Sequence, residues 1–156
     1  MVRLVPLSLA SDAARALERD MSAEIVVRYG GEEFEPPLDA SSFEPPDGAF
    51  LVAELEVDGG DWMAVGCAGI RRHSPTSAEL KRMFVATEAR GRGIARSLLV
   101  RLEDEARDLG YTELRLETGT AQPEAIALYE SCGYVAIPNY GQYADDPRSR
   151  CYAKAL

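Results

Sequence analysis

Ile94, Ala95, Leu98, Leu99, Leu102, Ala106 and Leu109 recur at three- and four-residue steps, which lays one apolar stripe along a helix. Gly110 follows as a C-terminal stop. Just upstream the pattern changes. Leu80 to Val85 is an apolar, strand-like run, followed by a short turn over Ala86 to Ala89. Arg90-Gly91-Arg92-Gly93 therefore falls where a loop becomes a helix. The rest of the chain reads in the same way. Val2 to Leu7 predicts an opening strand. Ser11 or Asp12 caps a helix from Ala13 to about Tyr29, stopped by Gly30-Gly31. Glu32 to Asp47 contains Pro36-Pro37, Pro45-Pro46 and many acids, and predicts an irregular loop with a short helical turn near Leu38 to Phe43. Ala49 to Val57 and Trp62 to Arg72 are strands joined by Asp58-Gly59-Gly60-Asp61, a strong hairpin signal.

His73 to Ser77 turns the chain into a strand from Ala78 to Val85. Beyond the motif helix, Tyr111 to Glu117 is a strand with Leu114 and Leu116 on one face. Pro123 opens a second short helix that Gly133 ends, and Tyr134 to Ile137 and Arg150 to Ala155 close the chain as strands. This order predicts the α/β (α+β) class: a mixed, mostly antiparallel central sheet flanked by helices. No repeat, low-complexity tract or linker divides the chain, so one domain is expected over residues 1–156.

Composition narrows the classes. A hydrophobic share of 46% with 28% charged residues is that of a soluble globular protein. No apolar run has the length of a membrane span, and the N-terminus lacks a basic-then-apolar leader, so no membrane association and a cytoplasmic location are expected. Cys67, Cys132 and Cys151 are odd in number and far apart. They form no metal-ligand pattern and no disulfide framework, and read as buried thiols. The net charge of −9 is unevenly spread. Residues 80–102 carry six basic groups against Glu88 alone, a local +5. An acidic remainder argues against nucleic acid, whereas a basic segment suits a phosphorylated ligand.

The glycines supply the rest of such a site. They let the backbone turn tightly and approach a ligand. The first N–H groups of a helix lack internal partners, and the helix dipole adds positive character there, which favours a phosphate or pyrophosphate. A plain turn into an amphipathic helix is the alternative for the glycines alone. Two familiar phosphate loops are excluded. No Lys follows Gly93 as a Walker loop requires, and the spacing is not that of a dinucleotide fingerprint.

The run from Leu80 to Leu99 resembles the acetyl-coenzyme A motif of the GNAT family of N-acetyltransferases, Gln/Arg-x-x-Gly-x-Gly/Ala, met by Arg90, Gly93 and Ala95. Gln122 to Glu130, then Gly133-Tyr134, is similar to the family's second block, Asn-x-x-Ala-x-x-Leu-Tyr-Glu followed by Gly-Phe. Gln122 stands where Asn is usual. The resemblance implies a sheet whose strands splay on either side of the motif helix, and acetyl-coenzyme A (acetyl-CoA) as co-substrate in the gap. It implies that Arg90, Gly91, Arg92, Gly93, Ile94 and Ala95 hold the pyrophosphate. It also implies that Met83, Phe84 and Val85 offer backbone groups to the thioester and its developing oxyanion, and that Gln122 contacts the cofactor.

Tyr129 matches the family's general acid, since a phenol and a thiol have comparable basicity. A core tyrosine beside Ile126 and Cys132 is the alternative. Glu79, at the start of the motif strand, is a candidate base, and Glu117 is its rival. Glu79 and Lys81 alternate onto one strand face, and Leu80 and Arg82 onto the other. Arg82 is a candidate for an acceptor carboxylate because the guanidinium fork matches it, and Glu117 is a second substrate-side candidate. Arg71 and Arg72 are weaker versions of the same idea, His73 reads as a solvated turn residue with a base role as the alternative, and Tyr140 and Tyr143 are candidate pocket walls.

The function expected is acetyl transfer from acetyl-CoA to a primary amine of a small molecule by direct attack, with amino acids and similar carboxylate-bearing amines among the acceptors. The alternatives are acetylation of a protein N-terminus or lysine, and a non-catalytic acyl-CoA-binding regulatory module. A homodimer is expected through an exposed edge on the closing strand, Arg150 to Ala155.

Overall fold

The structure, a computed structural model, describes residues 1–31 and 36–156. Seven strands form one sheet among the described residues: β1 (Val2–Pro6), β2 (Ala49–Glu56), β3 (Trp62–Arg72), β4 (Ser77–Val85), β5 (Glu113–Gly119), β6 (Val135–Ile137) and β7 (Ser149–Ala155). Their order is β1-β2-β3-β4-β5-β7-β6, and every neighbouring pair is antiparallel except β4 and β5. Among the described residues three α-helices cover the sheet: α1 (Asp12–Arg28), α2 (Ile94–Asp108) and α3 (Pro123–Ser131). The loop expected from Glu32 begins with four positions outside the described residues. Its expected helical turn is a 3-10 turn at Ala40–Phe43, capped by the Asp39 carboxylate, which accepts from the Ser41 N–H at 3.0 Å.

The apolar stripe does what its period predicted. Leu98, Leu99, Leu102 and Ala106 of α2 are fully buried against Leu51, Ile70, Ala78, Leu80, Leu114 and Leu116 of the sheet. Tyr129 of α3 joins the same core. The other sheet face holds a second core, in which Ala14 and Leu17 of α1 meet Phe50, Val52, Cys67 and Phe84. α1 is started by Ser11, whose hydroxyl accepts from the Ala14 N–H at 3.3 Å.

Two departures from regular sheet geometry create the site. β4 and β5 pair for only three residues, Ser77–Glu79 with Glu113–Arg115. β4 then runs on to Val85 and β5 to Gly119 without pairing to each other, while β5 keeps β7 along its whole length. The two strands thus splay, leaving facing backbone edges without a sheet partner among the described residues. The second departure is a bulge. Gly69 pairs Lys81 and Cys67 pairs Phe84, so β4 carries one residue too many, and Arg82 sits at φ 60°. The bulge reverses the strand's alternation. Leu80 faces α2, but Arg82 donates from Nε to Glu18 of α1 at 2.9 Å. The expectation that Leu80 and Arg82 share a face is therefore wrong, because simple alternation cannot anticipate an inserted residue.

Two further expectations need correction. β7 is not an outermost strand as expected, for it lies between β5 and β6, which pairs with it over Cys151 to Ala153. The outer strands are β1 and β6. Cys67 and Cys151 are buried, but Cys132 is only half-buried, with its sulfur 3.1 Å from the Arg96 guanidinium. No helix among the described residues is long and apolar enough to cross a membrane.

Candidate active site

Between the splayed strands lies a cavity of about 210 Å³. Leu80, Met83, Leu116 and Tyr129 wall it from the α2 and α3 side of the sheet, and Lys81, Arg82, Glu117 and Tyr29 from the α1 side. The cleft therefore passes through the sheet rather than lying on it. Its edges suit an extended polar chain, since among the described residues no neighbouring strand pairs with the facing backbone groups of β4 and β5 beyond the apex.

At one end stands the glycine loop. Gly91 and Gly93 have φ of 76° and 75°, a left-handed geometry that glycine adopts freely. Gly93 is the N-cap of α2 and has no side chain with which to cap that end. The first helical bond joins the Ser97 N–H to the Gly93 carbonyl at 3.0 Å, leaving the N–H groups of Ile94, Ala95 and Arg96 without acceptors in the helix. A Cβ added at Gly91 or Gly93 would meet no atom within 4 Å, so the space above the loop is open. Ile94 anchors the turn, its side chain buried beneath. Arg90 is fastened sideways: Nε donates to the Val85 carbonyl at 2.9 Å and a terminal nitrogen meets Glu24 of α1 at 2.6 Å. Arg92 is exposed. An uncapped helix end beside two glycines and two arginines fits a pyrophosphate.

Tyr129 is 4% exposed and its ring packs edge-on to Tyr134, with centroids 5.9 Å apart. Tyr134 is held in turn by its hydroxyl, which donates to buried Glu103 at 3.0 Å, and Glu103 is paired with Lys154 at 3.1 Å. Rigid packing thus sets the position of Tyr129, whose hydroxyl has no hydrogen-bond partner among the described residues. Burial pushes its pKa well above the ordinary phenol value, with a smaller push from Cys132. The group is neutral at any working pH, a donor waiting for an acceptor.

The two candidate bases separate. Glu79 is buried, and both its oxygens are engaged: Arg71 donates twice to Oε1 at 3.0 and 3.1 Å, and Tyr140 donates to Oε2 at 2.9 Å. It lines a separate cavity with Ser42, Asp47, Arg71, Arg72 and His73 rather than the cleft. Glu117 lines the cleft. Its neighbour Leu116 points into the α2 core, so alternation turns Glu117 to the α1 face, where its charge raises the pKa values of Tyr29 and Cys151 secondarily to burial. Tyr129 and Glu117 therefore approach the cleft from opposite sides of the sheet.

Of the remaining expected residues, Met83 walls the cleft, while the Phe84 and Val85 side chains pack into the two cores. Gln122 lines the cleft, and its Oε1 accepts from the Tyr29 hydroxyl at 3.0 Å. Arg72 pairs with Asp47 at 2.9 Å. His73 lies 3.3 Å from Arg115 and edge-on to Tyr140. Tyr143 walls the cleft and Tyr140 does not.

Sequence reasoning missed Tyr29, Lys81 and Arg148. Tyr29 ends α1 and reaches across to the end of β5, where a Cβ on Gly119 would stand 1.8 Å from its hydroxyl. Arg148 lies over the Tyr29 ring at 5.5 Å and is forked onto Asp146 at 2.9 and 3.1 Å. Only Lys81 had a legible signal, its place two residues after Glu79 on the motif strand.

A sequence model of the acetyltransferase (GNAT) family matches residues 14–134. An "IAA acetyltransferase" of Azospirillum brasilense is 42% identical over 120 residues, covering 76% of this chain and 75% of the relative. The N-acetyltransferase YjgM of Escherichia coli K12, itself uncharacterised, is 32% identical over 126 residues, covering 76% and 72%. Among solved structures, an acyl-CoA N-acyltransferase assignment from Klebsiella pneumoniae subsp. pneumoniae MGH 78578 superposes with a TM-score of 0.83 at 29% identity, over 100% of this chain and 98% of the other. A GNAT acetyltransferase from Elizabethkingia anophelis with acetyl-CoA bound shares the fold, with a TM-score of 0.69 at 17% identity, over 99% and 98%. The chain belongs to the GNAT acetyltransferase family. It is an acetyl-CoA-dependent acyltransferase.

Proposed function

We propose that this chain is a single N-acetyltransferase domain over residues 1–156 that acetylates the primary amine of a small molecule. The observation that carries the reading is the through-sheet cleft, with a neutral phenol on one side and a carboxylate on the other. Bound acetyl-CoA supplies a thioester carbonyl for direct attack by the amine. The chain's residues supply the rest. The N–H groups of Gly91 to Ala95 hold the pyrophosphate, with Arg90 and Arg92 beside them. The free edge of β4 from Met83 to Val85 offers backbone groups to the pantetheine arm and a donor to the carbonyl oxygen. Gln122 contacts the cofactor from the start of α3. Glu117 takes the proton from the attacking nitrogen, directly or through a water, and Tyr129 gives one to the departing sulfur. Glu79 instead stays locked in its ion pair with Arg71 and orders the apex of the splay. Arg82 faces the acceptor.

A small acceptor is favoured over a protein chain because α1 and the segment between β6 and β7 wall the acceptor side, through Tyr29, Tyr143 and Arg148. The test is a panel of small amines and short peptides offered with acetyl-CoA, reading released coenzyme A thiol. Turnover of small amines is expected. Turnover confined to peptides would replace this reading with protein acetylation, and acetyl-CoA binding without turnover would leave a binding module.

A further inference from the structure

The end of α1 is fastened to the loop that joins β5 to α3. Arg28 donates to the Ala121 carbonyl at 2.9 Å and pairs with Glu124. Tyr29 is the C-cap of α1, and its hydroxyl donates to Gln122 Oε1 at 3.0 Å. The phenol comes this close because residue 119 is glycine, where a Cβ would overlap the hydroxyl. Burial raises the Tyr29 pKa, and the Ala121 backbone N–H opposes that rise, as a donor to the phenol oxygen does. The oxygen thus faces an N–H, and the phenol proton is left for Gln122. Gln122 is the N-cap of α3, yet its side chain does not cap that helix. Its backbone is fixed, with the N–H donating to the Gly119 carbonyl at 3.0 Å and the carbonyl accepting from Ala125 at 3.1 Å. Among the described residues the one hydrogen bond of its side chain is that from Tyr29. An amide accepts at one end and donates at the other, so the group that takes one end decides what the other offers. With Oε1 turned to the phenol, Nε2 is left for the cleft, which Gln122 lines. Gln122 also has one methylene more than the asparagine of the family pattern, and so one more torsion to fix.

We propose that Tyr29 is a positioning residue for the cofactor: it holds Gln122 Oε1 so that Nε2 meets an oxygen of bound acetyl-CoA as a donor. The inference rests on the reading of Gln122 as a cofactor contact and adds the residue that orients it. Without the phenol hydroxyl, Gln122 surrenders rotamer freedom on binding and can present either end of its amide. The pair also joins the two sides of the sheet. Tyr29 walls the cleft from α1, on the acceptor side, whereas Gln122 stands at the start of α3. The same helix reaches the glycine loop through Glu24, which meets Arg90 at 2.6 Å. α1 thus braces two residues assigned to the cofactor, Arg90 and Gln122, although neither cofactor motif includes any part of it.

The test is calorimetry with acetyl-CoA on the wild type, Tyr29→Phe, Gln122→Ala and the double variant, with melting of each free protein as the control for folding. Gln122→Ala should raise Kd about 5- to 12-fold, through loss of one hydrogen bond. Tyr29→Phe should raise it about 3- to 10-fold, because a rotamer-rich side chain must then be immobilised on binding. The double variant should lie within about twofold of Gln122→Ala alone, since Tyr29 acts through Gln122. Gln122→Glu keeps an oxygen for Tyr29 but offers the cofactor no donor, so it should bind no better than Gln122→Ala. A merely structural role for Tyr29 weakens binding by the same factor with and without the Gln122 side chain, and overturns the inference. Wild-type affinity in Tyr29→Phe or in Gln122→Glu overturns it too. Wild-type affinity in Gln122→Ala is a different failure, that of Gln122 as a cofactor contact.

Discussion

Tyr129→Phe removes one oxygen from the wall of the cleft and leaves the ring in place. The edge-on contact to Tyr134 survives, and so does the burial of the ring. The hydroxyl has no hydrogen-bond partner to lose among the described residues, so folding stability should change by less than about 0.5 kcal/mol. Catalysis should respond very differently. A positioned general acid contributes about 10²–10⁴-fold, or about 2.7–5.4 kcal/mol of barrier. Burial raises the pKa of Tyr129, which makes it a weaker acid, but it raises thiols too. Cys67, buried in the same sheet, is pushed up from 9.0 to about 12. A thiolate leaving beside the buried phenol is raised by the same loss of solvation, so transfer from the phenol stays feasible. Steady-state kinetics with an accepted amine should show kcat down about 10²–10⁴-fold, calorimetry an acetyl-CoA Kd within about twofold, and melting a Tm within about 2 °C. Because the phenol stays protonated, the wild type should show no loss of rate from Tyr129 as pH rises to about 10. A kcat within threefold of wild type, with chemistry shown to be rate-limiting, would refute the acid role and leave Tyr129 as a core residue.

Gly93→Val should weaken acetyl-CoA binding at least tenfold by calorimetry, because valine resists φ 75° and blocks close approach to the uncapped helix end; parent-like affinity would displace the pyrophosphate site. Glu117→Gln should cut kcat about 10²–10⁴-fold with unchanged acetyl-CoA affinity, whereas equal turnover would return the base to solvent. Gly119→Ala should destabilise the fold by about 1–3 kcal/mol in urea melts, since the new methyl meets the Tyr29 ring, and Tyr29→Ala in the same chain should remove most of that loss. Glu124 has its pKa lowered from 4.5, first by its hydrogen bond from Arg28. Its contribution to stability is present above about pH 4.5 and lost as pH falls through the lower folded value. Glu124→Gln should therefore flatten the acid limb of a stability–pH profile, and an unchanged limb would show the pair to be inert.

Much of this protein was legible before any coordinates. Hydrophobic periods are local, so the helix from Ile94 and the strands on either side followed from spacing alone. Glycine and proline carry their backbone constraints with them, which located the anion loop at Gly91 and Gly93 and the start of α3 at Pro123. The motif match then brought Arg90, Gln122 and Tyr129 to a single cleft, where the structure also places Gln122 and Tyr129. What the sequence left open depends on contacts between residues far apart. Glu79 and Glu117 were equal as carboxylates; only the arrival of Arg71 and Tyr140, from β3 and from beyond β6, ties up the first. β7 read as an edge because strand order is set by how the last segment returns, and it returns between β5 and β6. Tyr29 gave no signal, since its place over Gly119 joins residues 90 positions apart. The bulge was hidden for the same reason. A strand's alternation is written in its own residues, but its register is fixed by its partner, so only the pairing of β4 with β3 could put Lys81 and Arg82 side by side.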